Sequence, residues 1–350
     1  MPADGPRPGS APDPAADVGG LGERGLIAAI RRRLPPAPPW LVVGPGDDAA
    51  VAEPVRGELD VLTADALVEG IHFDWRFCAA ADVGYKALAV SLSDLAAMGA
   101  TPRAALLSLA VRAEWPAAEA EAFLDGFLEL AAAHGVALVG GNITRSPAGL
   151  IASVTAWGSV RRRRILRRDG ARPGDHIYVT GTIGAGGAGL RALADAAGEP
   201  TRPLPEPLLA CARRYRRPEP RVRLGRLLGR ARAATSCIDL SDGLADGLHR
   251  LAEASGLGFV VEEALVPVDQ GARALVEARG GDPVLQAAAW GDDYELLFTS
   301  SPRMRRALEA VVRLGRGLPV TRIGVVTREP GVRVRRGDRE DAMPEGYAHF

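Results

Sequence analysis

The chain has 350 residues, 47% of them hydrophobic, and its 43 Lys+Arg balance its 43 Asp+Glu. That length points to two domains and a core ample enough to fold without disulfide or metal, and the balanced charge gives no reason to expect nucleic acid or a membrane surface as partner. Lys86 is the only lysine; a Gly-Lys-Ser/Thr phosphate loop and a Val-Ala-Ile-Lys kinase strand are both excluded, so any nucleotide must be held another way.

Residues 1–20, rich in Pro, Ala, Gly and Asp, read as a disordered tail. The tail has no basic-then-apolar signal pattern and no apolar run reaches membrane-spanning length, which points to a cytoplasmic protein. The spacing predicts a helix over 23–34 and a strand over 40–43 that breaks into Gly44-Pro45-Gly46-Asp47-Asp48. A strand over 59–64 leads to Asp65, and a helix over 84–98 carries Leu88, Leu92 and Leu95. A strand over 103–111, a helix over 119–134, a strand over 136–139 running into Gly140-Gly141-Asn142, and a strand over 150–160 complete the first half. The basic run Arg161 to Arg168 and the turn Arg172-Pro173-Gly174-Asp175 mark the boundary, giving domains 21–160 and 161–350. The second half opens with a strand over 177–180, a glycine-rich loop over 181–189 and a helix, then a connective Pro- and Arg-rich stretch over 200–223. A strand over 236–240 ends in Ser241-Asp242-Gly243, a helix covers 244–255, strands cover 259–262, 296–299 and 321–326, and a helix covers 304–314. The class is α+β, in two halves of related character.

The informative feature is a series of acidic residues, most at strand ends, each flanked by glycine or a small residue: Asp47 and Asp48, Asp65, Asp94 in Ser93-Asp94-Leu95, Asp239 and Asp242, Asp292 and Asp293. Carboxylates that converge repel and raise one another's pKa unless a cation joins them. Oxygen ligands without a Cys or His set suit Mg²⁺, which in such sites bridges to phosphates. Taken singly, Gly-Asp-Asp and Ser-Asp-Gly are more often turns or helix caps. Gly181 to Gly189 can bring amides to a phosphate or form a turn, and the Arg161 to Arg168 run is a solvated face or the source of one phosphate-binding arginine. Cys78, Cys211 and Cys237 are far apart, which fits free thiols.

Seven strings in order carry a resemblance: GPGDDAAV (44–51), TADALVEGIHF (63–73), GYKALAVSLSDLAAMGATP (84–102), GGNITRS (140–146), GDHIYVTGTIG (174–184), IDLSDGLADGL (238–248) and WGDDYELLFT (290–299). Together they resemble the thiamine-monophosphate kinase family, of the ATP-binding superfold shared with aminoimidazole ribonucleotide synthetase. The resemblance implies an N-terminal mixed-sheet domain that pairs across a homodimer and a C-terminal α/β domain. It implies the reaction of thiamine monophosphate with ATP to give thiamine diphosphate and ADP, with several Mg²⁺ ions; because a phosphate monoester is largely ionised near pH 7, transfer is expected to be direct and in line, with no general base. Carried over position by position, Asp48, Thr63, Asp65, Asp94, Asn142, Asp239 and Asp242 correspond to metal ligands, Gly141, Asn142, Arg168 and Ser241 to ATP contacts, and His72, Asp292 and Tyr347 to thiamine-phosphate contacts. Tyr347 or Trp290 is a candidate to stack on the cationic thiazolium. Four positions depart from the family pattern: Asn142 and Ala185 stand for Asp, Ala64 for Ser or Thr, and Asp292 for Glu. They bear on rate and metal number more than on fold. Selenophosphate synthetase would want a reactive Cys or selenocysteine with a Lys near the N-terminus, and the hydrogenase maturation factor a C-terminal Cys; this sequence has neither. A degenerate, non-catalytic binder of nucleotide or thiamine phosphate is the alternative that Asn142 and Ala64 motivate.

Overall fold

The computed structural model describes residues 17–198 and 204–346. The first half runs α1 (Val18–Arg33), β1 (Leu41–Val43), β2 (Val51–Ala52), β3 (Leu59–Val68), α2 (Ala80–Ala97), β4 (Thr101–Val111), α3 (Ala117–His134), β5 (Ala137–Arg145) and β6 (Ile151–Val160). Four of these strands form a mixed sheet in the order β3-β6-β4-β5, with β4 and β5 parallel and the other pairs antiparallel. Alternation sends Ala105, Leu107 and Leu109 of β4, and Ala152, Val154 and Ala156 of β6, into the core against α2. Two glycines bring α2 and α3 together: a Cβ on Gly84 would fall 1.8 Å from Phe123 O, and one on Gly126 1.8 Å from Ala81 O. No side chain fits at either crossing.

The second half runs β7 (His176–Thr180), α4 (Ala185–Gly198), α5 (Glu206–Arg216), α6 (Val222–Ala231), β8 (Ser236–Asp239), α7 (Leu244–Ser255), β9 (Gly258–Glu262), α8 (Gln270–Glu277), α9 (Pro283–Ala289), β10 (Leu296–Ser300), α10 (Arg305–Leu314), β11 (Val320–Thr327), β12 (Gly331–Arg336) and β13 (Arg339–Ala342). Its sheet has the order β13-β12-β9-β11-β7-β10-β8. The architecture is α+β, with a separate mixed sheet in each half.

Helix α2 belongs to both halves. One side packs on the β3-β6-β4-β5 sheet, and its C-terminal part meets α6, where a Cβ on Gly225 would lie 2.0 Å from Ala96 O. The core around α2 is accordingly continuous from Leu88 and Leu95 to Leu296 and Phe298. Among the described residues no helix is long and apolar enough to cross a membrane.

Several boundaries differ from the sequence reading. Val18 to Gly20 belong to α1, capped by Asp17, so order begins before residue 21; residues 1–16 lie outside the described residues. Asp65 and Asn142 sit inside β3 and β5 rather than in loops after them. The glycine-rich stretch is loop only to Gly184, and α4 begins at Ala185. The stretch read as connective over 200–223 contains α5 and the start of α6. Pro205 and Pro207 sit at the start of α5, where Cys211, Ala212 and Tyr215 form the buried stripe, Arg213 is exposed and Arg214 reaches inward to Glu295.

Candidate active site

Asp65 from β3, Asp94 from α2 and Asp239 from the end of β8 face one cleft of about 290 Å³. They meet because α2 lies between the two sheets and because β10 pairs with β8 at Leu296↔Asp239, which brings the 290–295 loop over the same opening. Asp242 and Ser241 follow β8 into the cleft, and His72 and Asp292 line it as well. Each of the three central carboxylates is held at one oxygen by a hydroxyl. Ser91 Oγ donates to Asp65 Oδ2 at 2.7 Å, Ser93 Oγ to Asp239 Oδ2 at 2.7 Å, and Thr63 Oγ1 to Asp94 Oδ2. The other oxygen of each is left for a ligand.

The electrostatics are those of an anion cluster in need of a cation. Burial, and then the charge of Asp94, pushes Asp65 up to about 6. Burial, and then Asp94 again, pushes Asp239 up to about 7. Burial raises Asp94 against the opposing Thr63 hydrogen bond and the charge of Arg168. As the side chains stand, no three ligating groups among the described residues are close enough to share one metal. That is compatible with Mg²⁺, which is commonly held by one or two carboxylates together with water and substrate phosphates.

The loop from Gly291 to Glu295 is strained. Asp292 and Tyr294 have φ of 66° and 51°, a region a bulky tyrosine rarely enters. Backbone hydrogen bonds from Asp292 N to Ser241 O (2.7 Å) and from Tyr294 N to Leu240 O (2.9 Å) hold it there. Between them, Asp293 accepts from Gly184 N (2.7 Å) and Gly186 N (3.1 Å) at the start of α4. Those two amides are therefore taken by a carboxylate and do not form an open phosphate cradle. The glycines serve close packing: a Cβ on Gly187 would lie 2.4 Å from Trp290 Cβ. Trp290 is buried, and the Arg191 guanidinium covers its ring at 4.2 Å, so this indole is a packed surface and that face does not offer itself for stacking on a substrate ring.

Sequence comparison agrees with this architecture. The family models for the AIR synthase related protein match twice, the N-terminal domain at residues 46–160 and the C-terminal domain at 172–337. Thiamine-monophosphate kinase of Bacillus subtilis (strain 168) is 35% identical over 315 residues, 88% of this chain and 93% of the relative. The crystal structure of thiamine-monophosphate kinase from Stenotrophomonas maltophilia K279a is 39% identical, covers 90% of this chain and 95% of its own, and superposes with a TM-score of 0.77. The chain belongs to the thiamine-monophosphate kinase family. A further member, AaThiL complexed with AMPPCP and TMP, is 31% identical, covers 94% of this chain and 97% of its own, and has a TM-score of 0.73.

Not every residue that the family resemblance singles out reaches the cleft. Asp48 is exposed in the loop between β1 and β2, away from the cleft lining. Gly141 and Asn142 lie on β5, at the opposite edge of the sheet from β3, three interstrand spacings or about 14 Å away. Ala64 points away from Thr63 and Asp65 by strand alternation, so a hydroxyl there would not face these carboxylates. Arg168 is exposed, with its charge acting on Asp94 and Asp239. Tyr347 lies outside the described residues.

The sequence reading passed over Lys86 except as the lone lysine. It is buried on α2, pairs with Asp292 Oδ1 at 3.0 Å, donates to His72 O at 3.2 Å and lies 4.0 Å over the Tyr215 ring. A lysine with no exposed counterpart in an otherwise lysine-free chain was the available signal. In this member of the thiamine-monophosphate kinase family, Lys86→Met is expected to cost about 3 kcal/mol of stability, because Asp292 loses its cation inside the protein. Urea unfolding measures it, and an unchanged midpoint rejects the pairing.

Proposed function

We propose that this chain transfers the γ-phosphoryl group of ATP to thiamine monophosphate, releasing ADP and thiamine diphosphate. The observation that supports this reading best is the convergence of Asp65, Asp94 and Asp239, from both halves of the chain, on one desolvated cleft. The family relationship supports it too, as does the AaThiL complex with an ATP analogue and TMP. The chemistry asks little of a base. The second pKa of a phosphate monoester is about 6, so the attacking oxygen is already ionised near neutral pH. What must be overcome is the repulsion between two polyanions, and the in-line geometry must be fixed.

The donor set fits Mg²⁺: hard carboxylate oxygens, no thiolate, and burial that makes uncompensated charge costly. Asp65, Asp94 and Asp239 would hold Mg²⁺, no single ion taking all three, with Asp242 at the rim. When bound, Mg²⁺ supplies the positive charge that draws donor and acceptor phosphates together. Ser91, Ser93 and Thr63 fix one oxygen of each carboxylate and so aim the other into the cleft. Tyr294 OH donates to Asp292 Oδ1 at 3.1 Å and, with Lys86, keeps that carboxylate turned to the opening. A single displacement of this kind inverts configuration at a chiral γ-phosphate.

A homodimer belongs to the same reading. On the sheet face opposite α2, Trp40, Leu41 and Ala52 cover the β4 and β5 side, but the β3 side is open, with Leu62 68% and Ile151 39% exposed, and pairing of two such faces would bury them. The test is a coupled ADP-release assay with thiamine monophosphate, ATP and MgCl₂, on protein whose mass is measured by light scattering. Mg²⁺-dependent turnover from a particle of two chains is the expected result. Binding of both ligands without turnover would favour the non-catalytic alternative.

A further inference from the structure

The charged side chains that line the cleft are Asp65, Asp94, Asp239, Asp242, Asp292 and one arginine, Arg191. Arg191 projects from α4, donates from Nη1 to Gly187 O at 3.0 Å and lies flat on Trp290 at 4.2 Å. Among the described residues no carboxylate pairs with it, although Asp195, one turn further along α4, is bound by Arg279. Its guanidinium is partly desolvated, held in a fixed plane by the indole, and lacks a counter-ion in a cleft full of negative charge. A cation kept apart from so many nearby carboxylates is placed to receive an anion that comes with the ligand. Its rigid fork suits two oxygens of one phosphate. It stands on the side of the cleft formed by Trp290, Gly291 and Asp292, whereas Arg168 acts on the carboxylate side.

We propose that Arg191 binds the phosphate of the acceptor, so that it selects the phosphorylated over the unphosphorylated vitamin and sets which end of the acceptor enters the acidic cleft. Trp290 is then the plate that holds the guanidinium flat. The proposal rests on the reading that thiamine monophosphate is the acceptor.

The test compares wild type with Arg191→Gln and Arg191→Lys. Steady-state kinetics give KM for thiamine monophosphate and for ATP, and tryptophan fluorescence gives Kd for thiamine monophosphate and for thiamine. Arg191→Gln is expected to raise KM and Kd for thiamine monophosphate on the order of 10–100-fold, with the KM for ATP and the Kd for thiamine near wild type. Arg191→Lys should recover part of the loss, since it keeps the charge but not the fork. A rise in the ATP KM instead would assign Arg191 to the nucleotide, and equal weakening of thiamine and thiamine monophosphate would make its role structural; either overturns the proposal. Wild-type protein that binds thiamine monophosphate without turnover defeats the kinase reading, while the fluorescence comparison still decides Arg191.

Discussion

Asp239→Asn is expected to lower kcat/KM in the ADP-release assay by about 10²–10³-fold, the scale for losing a group that balances charge in a transition state, and yet to stabilise the magnesium-free protein at pH 8. The two effects have one origin. Asp239 is almost completely buried, and its carboxyl is raised from the ordinary 3.8 to about 7 by burial and then by Asp94. Its native pKa lies above its unfolded one, so the folded state binds the proton more tightly. Folding is then favoured below about pH 4 and loses that advantage as pH climbs from about 4 to 7. Above pH 7 the wild-type protein carries a buried charge beside two others. Asparagine keeps the shape, still accepts from Ser93 Oγ, and never charges. Melting curves in EDTA at pH 5 and pH 8 should show the variant gaining on wild type at the higher pH, by an amount on the order of a few kcal/mol. Adding MgCl₂ at pH 8 should raise the wild-type midpoint more than that of the variant. If Asp239→Asn melts lower than wild type at pH 8 in EDTA and keeps its turnover, the carboxylate cluster has no cationic function.

What the sequence could reveal of this site follows its local signals. Asp239, Ser241 and Asp242 are legible because a strand, a turn and a helix start within a few residues of one another, and α7 begins at Leu244 as the pattern predicts. Asp94 is visible only as an acid in the largely apolar second half of a helix. The strand expected over 59–64 ends one residue before Asp65, whereas β3 continues through Asp65 to Val68 to complete its pairing with β6. The partners that make these acids a site are not legible at all. Ser91 and Ser93 look like ordinary helix residues until the fold sets Asp65 and Asp239 against them. Asp293 reads as half of an acidic pair exposed to ligand, but tertiary packing turns it onto the α4 amides. Arg191 is one arginine among many, and only the cleft distinguishes it. Periodicity carries information over one element, while a site joining β3, α2, β8 and the 290–295 loop is set by contacts across the whole chain.

Glu295→Gln is expected to cost about 3–5 kcal/mol of stability, the scale for removing one partner from a buried charged network. Glu295 has no exposed surface and accepts from Arg221 Nε at 2.7 Å and Nη2 at 2.5 Å, from Arg214 Nη2 at 2.8 Å and from Thr180 Oγ1 at 2.5 Å. Burial alone would push its carboxyl up; the hydrogen bonds and charge of Arg221, then the charge of Arg214, pull it below the usual glutamate range. With the native pKa depressed, its contribution is complete above the unfolded value of about 4.5 and is lost as pH falls through the native one. That sign is the reverse of Asp239. Metal-free wild-type protein should therefore show a stability maximum in mildly acidic solution, with an acid limb set by Glu295 and an alkaline limb set by the aspartate cluster. Glu295→Gln should flatten the acid limb and leave the alkaline one, and Asp239→Asn should do the opposite. The network also matters to the site, because Arg214 donates to Asp293 O at 3.1 Å and Glu295 directly follows the left-handed Tyr294. Releasing α5 and α6 from β7 and β10 removes the clamp that holds the 290–294 loop in its strained form. A rise in KM for thiamine monophosphate should accompany the stability loss even at temperatures where the variant is fully folded. Urea titrations across pH 3–8 and the same kinetic assay measure both, and an acid limb unchanged in Glu295→Gln would mean that another group sets it.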